Sequence, residues 1–446
     1  MRRTVWSVLL CLVAGPHGTA SAGDLSSAHR GDADDARRRE DLSDRLDRLE
    51  SAIAALQPGE AQRREEARRL VSDVLADAET RMALLQDGPT GGYDGKAFIS
   101  SPDGRFRLSP WGFIQTRYVA NSRRSEPDTD RWRSGFSVQR TRLYVDGNIE
   151  DISFRVRTTI NDSGNANLDQ AYLQMPVFED FQLRVGQFML PLFHDEWVAA
   201  EKQLAVNQSV VNTIFAQGQS QGVWLSRTWD TVRMWASFND GARTDNTAAL
   251  SGEDADAAVT GRVEFRFGEG DWGRFDDYTS FPGEPFGGYI GFAGHFETGS
   301  ELPQSTGDKL AYGTGEIGLE GDGWNVYALG VVAYDDFNTP GSDYALDFGF
   351  LLQGGVFIAP TVEIFSRFDW VEGGDERPAD DPFRSITGGF NWYITPNAHR
   401  LKLTANVIYF MDPTVNRIVT TSSSVGLLES SRSGQAAIQV QMQLIF

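Results

Sequence analysis

The chain has 446 residues with 41 basic and 62 acidic side chains, which gives a formal net charge of −21. A chain this acidic argues against nucleic acid as a partner. The single cysteine, Cys11, lies in a segment that reads as a cleaved leader, so neither disulfides nor a catalytic or metal-binding thiol are expected in the rest of the chain.

Residues 1–22 have the three parts of a secretory signal peptide in their usual order. Two arginines follow Met1, an apolar run extends over residues 5–14, and residues 20–22 read Ala-Ser-Ala, a small-residue cleavage site. The apolar run is too short to span a bilayer. The sequence therefore predicts an exported protein.

Residues 23–96 are expected to form a periplasmic helical segment followed by a linker. An apolar stripe with alternating spacings of four and three residues comprises Leu42, Leu46, Leu49, Ile53 and Leu56. This spacing is typical of a coiled coil, and so short a stripe needs a partner to cover it. That partner is either a second protomer or the helical stretch near residues 70–85 folding back. Residues 87–95, rich in glycine and proline, are expected to form a flexible linker.

Residues 97–446 change to a period of two. Apolar side chains occupy every second position in, for example, residues 153–160, as expected of strands with one polar and one apolar face. Sixteen strands are predicted to start near Arg105, Phe136, Ile152, Asn167, Phe181, Gln221, Thr231, Ala257, Phe286, Lys309, Gly323, Tyr344, Thr361, Phe383, Ala398 and Ser433.

The connections between these strands favour a membrane barrel over a soluble sheet. Long connections mostly alternate with short turns, which predicts an all-β fold: a transmembrane antiparallel β-barrel of about 16 strands. Two connections depart from the rule, since residues 161–166 are short where a long loop is due and residues 268–285 are long where a turn is due. The predicted domains are therefore a signal peptide (1–22), a periplasmic coiled-coil and linker segment (23–96) and an outer-membrane barrel (97–446).

The last predicted strand has the clearest membrane pattern. Its apolar row comprises Ala436, Ile438, Val440, Met442, Leu444 and Phe446, and glutamines fill most positions between them. Such a strand fits a barrel wall with one lipid face and one aqueous face. The aromatic Phe446 is similar to the signal that the outer-membrane insertion machinery reads. Aromatic side chains near strand ends, among them Trp197, Trp224 and Trp272, are expected to form girdles at the lipid–water boundaries.

Five segments in order resemble the phosphate-selective porin O/P family of Gram-negative bacteria. They are DGRFRL (103–108), QRTRLYVDGNI (139–149), LDQAYLQM (168–175), LRVGQFMLPL (183–192) and GGFNWYITPNAHRLKLTANVIYF (388–410). The resemblance covers about residues 98–446. It implies a sixteen-stranded, usually trimeric outer-membrane porin, whose third extracellular loop folds inward and whose basic side chains line an anion path. The counterpart of that loop is residues 190–218, in which residues 197–206 are expected to form a short helix.

Eight basic side chains are the candidates for lining the pore. Alternation places them on polar faces, and the resemblance implies their role: Arg140, Arg142, Arg155, Arg157, Arg184, Arg233, Arg367 and Lys402. A row of guanidinium groups in a narrow lumen gives an anion successive weak sites. The alternative is that these groups only neutralise luminal carboxylates such as Asp146 and Glu264. Beyond residue 96 the chain has three lysines, fewer than the family's phosphate path implies.

The predicted function is passive diffusion of small hydrophilic solutes, including anions such as phosphate, through this arginine-lined lumen. The alternative is a non-conducting barrel that acts as an adhesin or envelope tether. No catalytic residue, metal or cofactor is expected, because four histidines remain after the leader without metal-ligand spacing, and neither Gly-x-Ser-x-Gly nor a P-loop lysine occurs. The expected partners are the bilayer, the insertion machinery and two further copies of the chain.

Overall fold

The computed structural model describes most of the chain from residue 88 onward. The described residues are 88–123, 131–249, 254–299, 308–339, 342–377 and 380–446, together with 44, 45, 47, 48 and 72. Those five positions are helical, whereas the predicted signal peptide and the leucine stripe lie outside the described residues. The chain divides into two units, Met1–Asp87 and Gly88–Phe446.

Eighteen strands form one sheet among the described residues. They are β1 (Thr90–Tyr93), β2 (Ala97–Ser100), β3 (Phe106–Ser122), β4 (Trp132–Ile149), β5 (Ile152–Asn161), β6 (Ala166–Pro176), β7 (Gln182–Met189), β8 (Gln219–Thr228), β9 (Val232–Asn239), β10 (Ala257–Gly268), β11 (Gly287–Thr298), β12 (Lys309–Gly321), β13 (Trp324–Thr339), β14 (Ser342–Ala359), β15 (Val362–Glu372), β16 (Phe383–Tyr393), β17 (Leu401–Phe410) and β18 (Gln435–Ile445).

In the described connections between the strands there are three short helices. Two of them, α1 (His194–Trp197) and α2 (Val210–Phe215), belong to the connection between β7 and β8. A 3-10 helix, Trp272–Asp276, belongs to the connection between β10 and β11. No helix in the described part of the chain is long and apolar enough to cross a membrane.

Strands β3 to β18 form a closed antiparallel barrel. Each pairs with the next along the chain, and β18 returns to pair with β3 from Ala436↔Ser122 to Ile445↔Phe113. This confirms the predicted number of sixteen strands. Closure leaves neither edge of the barrel unpaired.

Side chains alternate between the two faces of the barrel as the period of two predicts. In β18 the glutamines at 435, 439, 441 and 443 are buried in the interior, whereas Ile438, Met442 and Leu444 are exposed on the outside. The interior glutamines also contact both neighbouring strands: Gln443 lies 3.2 Å from Gln115 of β3, across the seam where the barrel closes, and Gln439 accepts a hydrogen bond from Asn406 of β17 at 3.0 Å. An apolar belt therefore faces lipid while hydrogen-bonded amides line the lumen.

The two irregular connections noticed in the sequence are both present. Residues 162–165 join β5 to β6 as a short turn, and residues 269–286, called here the inner turn, join β10 to β11 at the short-turn end. The inner turn supplies Trp272, Phe275 and Tyr278 to an apolar core inside the barrel. The girdle prediction is therefore wrong for Trp272, and it is also wrong for Trp197 and Trp224, which pack together with stacked rings and line the lumen.

Strands β1 and β2 form a hairpin that is not among the elements predicted from the sequence. Four residue pairs join the two strands, from Thr90↔Ser100 to Tyr93↔Ala97, and β2 pairs with β3 at Ile99↔Leu108. Part of this hairpin lies within residues 87–95, which the glycine content had assigned to a linker. Glycine fits here because an added Cβ at Gly92 would lie 2.6 Å from the ring of Phe98.

Candidate functional site: the barrel lumen

The connection between β7 and β8, residues 190–218, folds into the barrel and is called here the constriction loop. Asp195 organises it, because its carboxylate accepts hydrogen bonds from the Ser209 hydroxyl at 2.7 Å and from Tyr278 of the inner turn at 3.0 Å. Ser209 in turn caps α2 by accepting the Asn212 N–H at 2.8 Å. These bonds fix the loop both to itself and to the inner turn.

The apolar side of the constriction loop packs against the wall made by β11 to β18. Leu192, Phe193, Leu204, Val211 and Phe215 are all at most 2 % exposed and belong to one core with side chains of that wall. Gly349 of β14 permits the close approach of α2. An added Cβ there would lie 2.7 Å from the Phe215 ring. The loop therefore fills one side of the lumen.

Polar side chains of the wall bind the backbone of the same loop. Asn391 donates to the Leu204 carbonyl at 3.1 Å, and Asn406 accepts from the Val206 N–H at 3.0 Å. Gln115 and Gln443 donate to the carbonyls of Ala200 at 3.2 Å and of Glu201 at 2.8 Å. Because these carbonyls bond to the wall, residues 197–206 do not form the predicted helix despite their favourable composition.

Two of the predicted pore-lining residues serve this attachment instead. Arg367 donates to the Asn207 carbonyl at 2.8 Å, and Lys402 donates to the Gln203 carbonyl at 2.9 Å. Both are at most 4 % exposed and do not line the lumen cavity described below. Alternation correctly put them on the inner face, but the constriction loop covers that part of the wall.

Arg117 of β3 is a third buried cation with this role, and it is not among the residues predicted from the sequence. Its guanidinium donates to the Asn207 side chain at 2.8 Å, to the Val206 carbonyl at 3.1 Å and to the Ser424 carbonyl at 2.9 Å. It therefore joins the constriction loop to the connection between β17 and β18. The alternation of β3 could have identified Arg117 as inward-facing.

On the other side of the constriction loop lies an open space of about 640 Å³, called here the lumen cavity. Strands β3 to β9 form its outer wall and the loop forms its inner wall. Its lining in the described part of the chain includes eight basic residues and three acidic ones, the basic set being Lys96, Arg140, Arg142, Arg155, Arg157, Arg184, Lys202 and Arg233. Six of the eight sequence-predicted candidates are thus brought together.

Four of these arginines form a row on β4 and β5. Arg140 and Arg142 occupy successive inward positions of β4, about 7 Å apart along the strand, and Arg155 and Arg157 do the same on β5. Arg155 is paired with Asp146 at 2.7 Å, and Arg157 lies 3.1 Å from Asp169 of β6.

The carboxylates do not neutralise this row completely. Arg142 shares Asp169 with Arg157, at a longer 3.6 Å. Arg140 has no carboxylate partner within salt-bridge distance among the described residues. Four guanidinium groups thus face two carboxylates, which leaves this side of the cavity positively charged.

Arg184 and Arg233 extend the basic lining along β7 and β9. The Arg184 guanidinium lies over the rings of Tyr172 and Trp224, 4.0 Å and 3.9 Å from their centroids, and it donates to the Gln174 side chain at 2.7 Å. Aromatic faces hold a guanidinium in place without cancelling its charge. Arg233, in contrast, is bonded to Glu264 and lies 3.3 Å from Asp276, so its charge is largely compensated.

The acidic side of the cavity comes mainly from the constriction loop, through Glu196 and Glu201. Burial raises the pKa of Glu196 to about 7, although its carboxylate accepts the Gly218 N–H at 2.9 Å. Burial also lowers the pKa of the nearby His194 to about 3, so that imidazole stays neutral. Glu196 is therefore a cavity-lining group whose charge changes near neutral pH.

We expect this carboxyl to make ion selectivity depend on pH. Below about pH 7 Glu196 is neutral, and above it the group adds a negative charge to the cavity. Raising the pH from about 6 to about 8 should lower the anion-to-cation permeability ratio by about twofold. Reversal potentials in asymmetric KCl measure this ratio. Glu196→Gln keeps the acceptor for Gly218 and should abolish most of the pH effect, and an equally steep dependence in that variant would contradict the assignment.

The chemistry of the site is electrostatic. No group of three or more histidine, cysteine, aspartate or glutamate side chains suited to a metal ion occurs in the part of the chain that the structure describes. Fixed cations at successive positions along a hydrated cavity can attract anions and release them again. The lumen thus has the features of a diffusion path.

Comparison with solved structures identifies the same class of fold. The chain is similar to OmpT of Vibrio cholerae, with 10 % identity, a TM-score of 0.53 and coverage of 77 % of this chain and 98 % of that one. It is also similar to an anion-selective porin from Comamonas acidovorans, with 11 % identity, a TM-score of 0.53 and coverage of 76 % and 100 %. A trimer form of the Vibrio cholerae OmpT matches with 11 % identity, a TM-score of 0.50 and coverage of 76 % and 99 %.

The closed barrel with its inward loop has the architecture of an outer-membrane diffusion channel, which is the fold of the solved structures above. Residues 119–261 match the family model described as phosphate-selective porin O and P, which confirms the resemblance found in the sequence. That stretch includes the constriction loop and seven of the eight basic residues of the lumen cavity. No curated protein matches the chain by sequence.

Proposed function

We propose that this porin conducts small anions in preference to cations, along the basic wall of the lumen cavity. The single observation that carries the proposal is the composition of that cavity, with eight basic and three acidic lining residues in the described part of the chain. Since the constriction loop occupies one side of the lumen there, the fixed charges of the cavity act at short range on an ion beside it.

Two further observations support the proposal. Arg140 and Arg184 face the cavity with no carboxylate within salt-bridge distance among the described residues, so their charge is available to a solute. One protein of similar fold, from Comamonas acidovorans, is described as anion-selective. The proposal extends to small anions as a class and includes phosphate as one member.

Ion substitution in planar bilayers tests the proposal. Single-channel conductance in KCl should fall markedly when a bulky organic anion replaces chloride, and it should change little when a bulky organic cation replaces potassium. The opposite pattern would refute anion preference. Absence of any conductance steps would favour the non-conducting barrel considered above.

The proposal also assigns roles to the segments of the chain outside the lumen. Residues 1–22 would direct export, residues 23–96 would form a periplasmic coiled coil, and residues 97–446 would form the barrel in the outer membrane. A homotrimer fits the family resemblance and the trimer form of the similar OmpT. Recognition of Phe446 by the insertion machinery stays a prediction. Cross-linking of the assembled protein, with a trimer band that disappears when residues 23–87 are removed, would assign the coiled coil a role in assembly.

A further inference from the structure

The β1–β2 hairpin is docked on the short-turn end of the barrel by contacts to two arginines. Arg107 of β3 forms an ion pair with Asp94 and lies 4.0 Å over the Phe98 ring. Arg400, just before β17, donates to the Gly95 carbonyl at 3.2 Å and lies 5.4 Å from the Tyr93 ring centroid. The hairpin tip is thus held from both sides of the β3–β18 seam.

This docking places Lys96 in the lumen cavity. Its Nζ lies 3.8 Å from the ring centroid of Trp111 and 3.5 Å from the Asp146 carboxylate. The side chain of Lys96 is 41 % exposed and is part of the cavity lining. Asp146 is also the partner of Arg155, so Lys96 continues the row of basic side chains toward the short-turn end.

The neighbours of Lys96 have hydrogen-bond partners other than its amine. Asp146 already accepts two hydrogen bonds from Arg155, at 2.7 Å and 3.0 Å, and one from the Trp111 indole at 2.8 Å. The hairpin itself is attached through Asp94 and Gly95, independently of the lysine amine. Lys96 therefore brings a second positive charge to a carboxylate that is already paired, and the surplus charge faces the cavity.

We propose that the β1–β2 hairpin is a functional part of the pore and that Lys96, with Arg155, forms the cationic site for small anions at its short-turn end. This proposal rests on the proposed anion path. It assigns selectivity to a residue outside the sixteen barrel strands, in the segment that joins the barrel to the N-terminal part of the chain.

The experiment compares charge variants of Lys96 in the full-length protein. Reversal potentials in asymmetric KCl should show the anion-to-cation permeability ratio falling by about twofold in Lys96→Gln and further in Lys96→Glu. The matched control is Lys309→Gln. That lysine is 55 % exposed and is the first residue of β12, at the end of the barrel opposite to Lys96. Its amine lies 3.9 Å from the Asp336 carboxylate. The control variant should leave the ratio unchanged.

The outcomes separate this proposal from the one it rests on. If the unmodified protein prefers anions and Arg155→Ala lowers that preference while Lys96→Glu does not, the hairpin is excluded from the path and the anion channel stands. If the unmodified protein prefers cations, the anion path itself fails. Heat-modifiable migration on gels shows that each variant contains a folded barrel, so a lost signal cannot be mistaken for misfolding.

Discussion

Replacing both Arg155 and Arg157 by alanine is expected to reduce the anion-to-cation permeability ratio by about fivefold. A unit charge about 8 Å from an ion in water contributes about 0.5 kcal/mol, with opposite signs for anions and cations, and salt screening weakens this. The double variant also leaves Asp146 and Asp169 with fewer cationic partners, which shifts the cavity toward negative potential. Reversal potentials in asymmetric KCl measure the change.

Arg105→Ala is the matched control for this pair. Arg105 is near the same end of the barrel, but its side chain is 65 % exposed, pairs with Glu150 and does not line the lumen cavity. Its removal should leave the permeability ratio within error of the original. A double variant that behaves like this control would remove Arg155 and Arg157 from the determinants of ion selectivity.

Replacing Arg117 by methionine is expected to loosen the constriction loop. The variant leaves the carbonyls of Val206 and Ser424 without the donor they have in the structure, and each buried unpaired acceptor costs about 1–3 kcal/mol. Because the loop borders the lumen cavity, its motion should appear as larger open-channel current noise and as more frequent closures at high voltage. The barrel strands do not depend on this contact, so assembly should persist.

The matched control for Arg117→Met is Arg105→Met, which makes the same change at an exposed arginine. Current traces of that variant should match those of the unmodified protein. If Arg117→Met also gives quiet traces with unchanged conductance, the bonds from Arg117 do not hold the loop, and the apolar contacts of Phe193 and Phe215 with the wall would suffice.

The barrel could be predicted from the sequence because its pattern is local. A period of two appears within each strand, and the last strand shows it over its full length, from Gln435 to Ile445. The same alternation predicted correctly that Arg140, Arg155 and Arg184 face inward. A strand in a barrel wall has two faces, and its sequence distinguishes them.

The contents of the lumen could not be predicted in this way. Arg155 and Arg367 have the same inward orientation, yet one lines the cavity and the other binds the Asn207 carbonyl under the constriction loop. Which of these occurs depends on where residues 190–218 pack, and that is decided by contacts distant in sequence. The predicted helix at residues 197–206 failed for the same reason, since wall side chains compete for its carbonyls.

Lys96 was missed because glycine-rich sequences carry little pattern. The hairpin strand Thr90–Tyr93 contains two glycines in four residues, which resembles a linker by composition. The inner turn was easier to recognise than the hairpin, because its unusual length at the short-turn end was visible in the sequence. Length alone did not reveal that it packs inside the barrel against Asp195.

The sign of the reversal potential of the unmodified protein in asymmetric KCl tests the central claim most directly. A cavity whose described lining has more basic than acidic residues predicts the sign of a chloride-preferring channel at neutral pH. It also predicts that the potential moves further in that direction as the pH falls below about 7, where Glu196 becomes neutral. A potential of the opposite sign, which a potassium-preferring channel would give, would contradict the account.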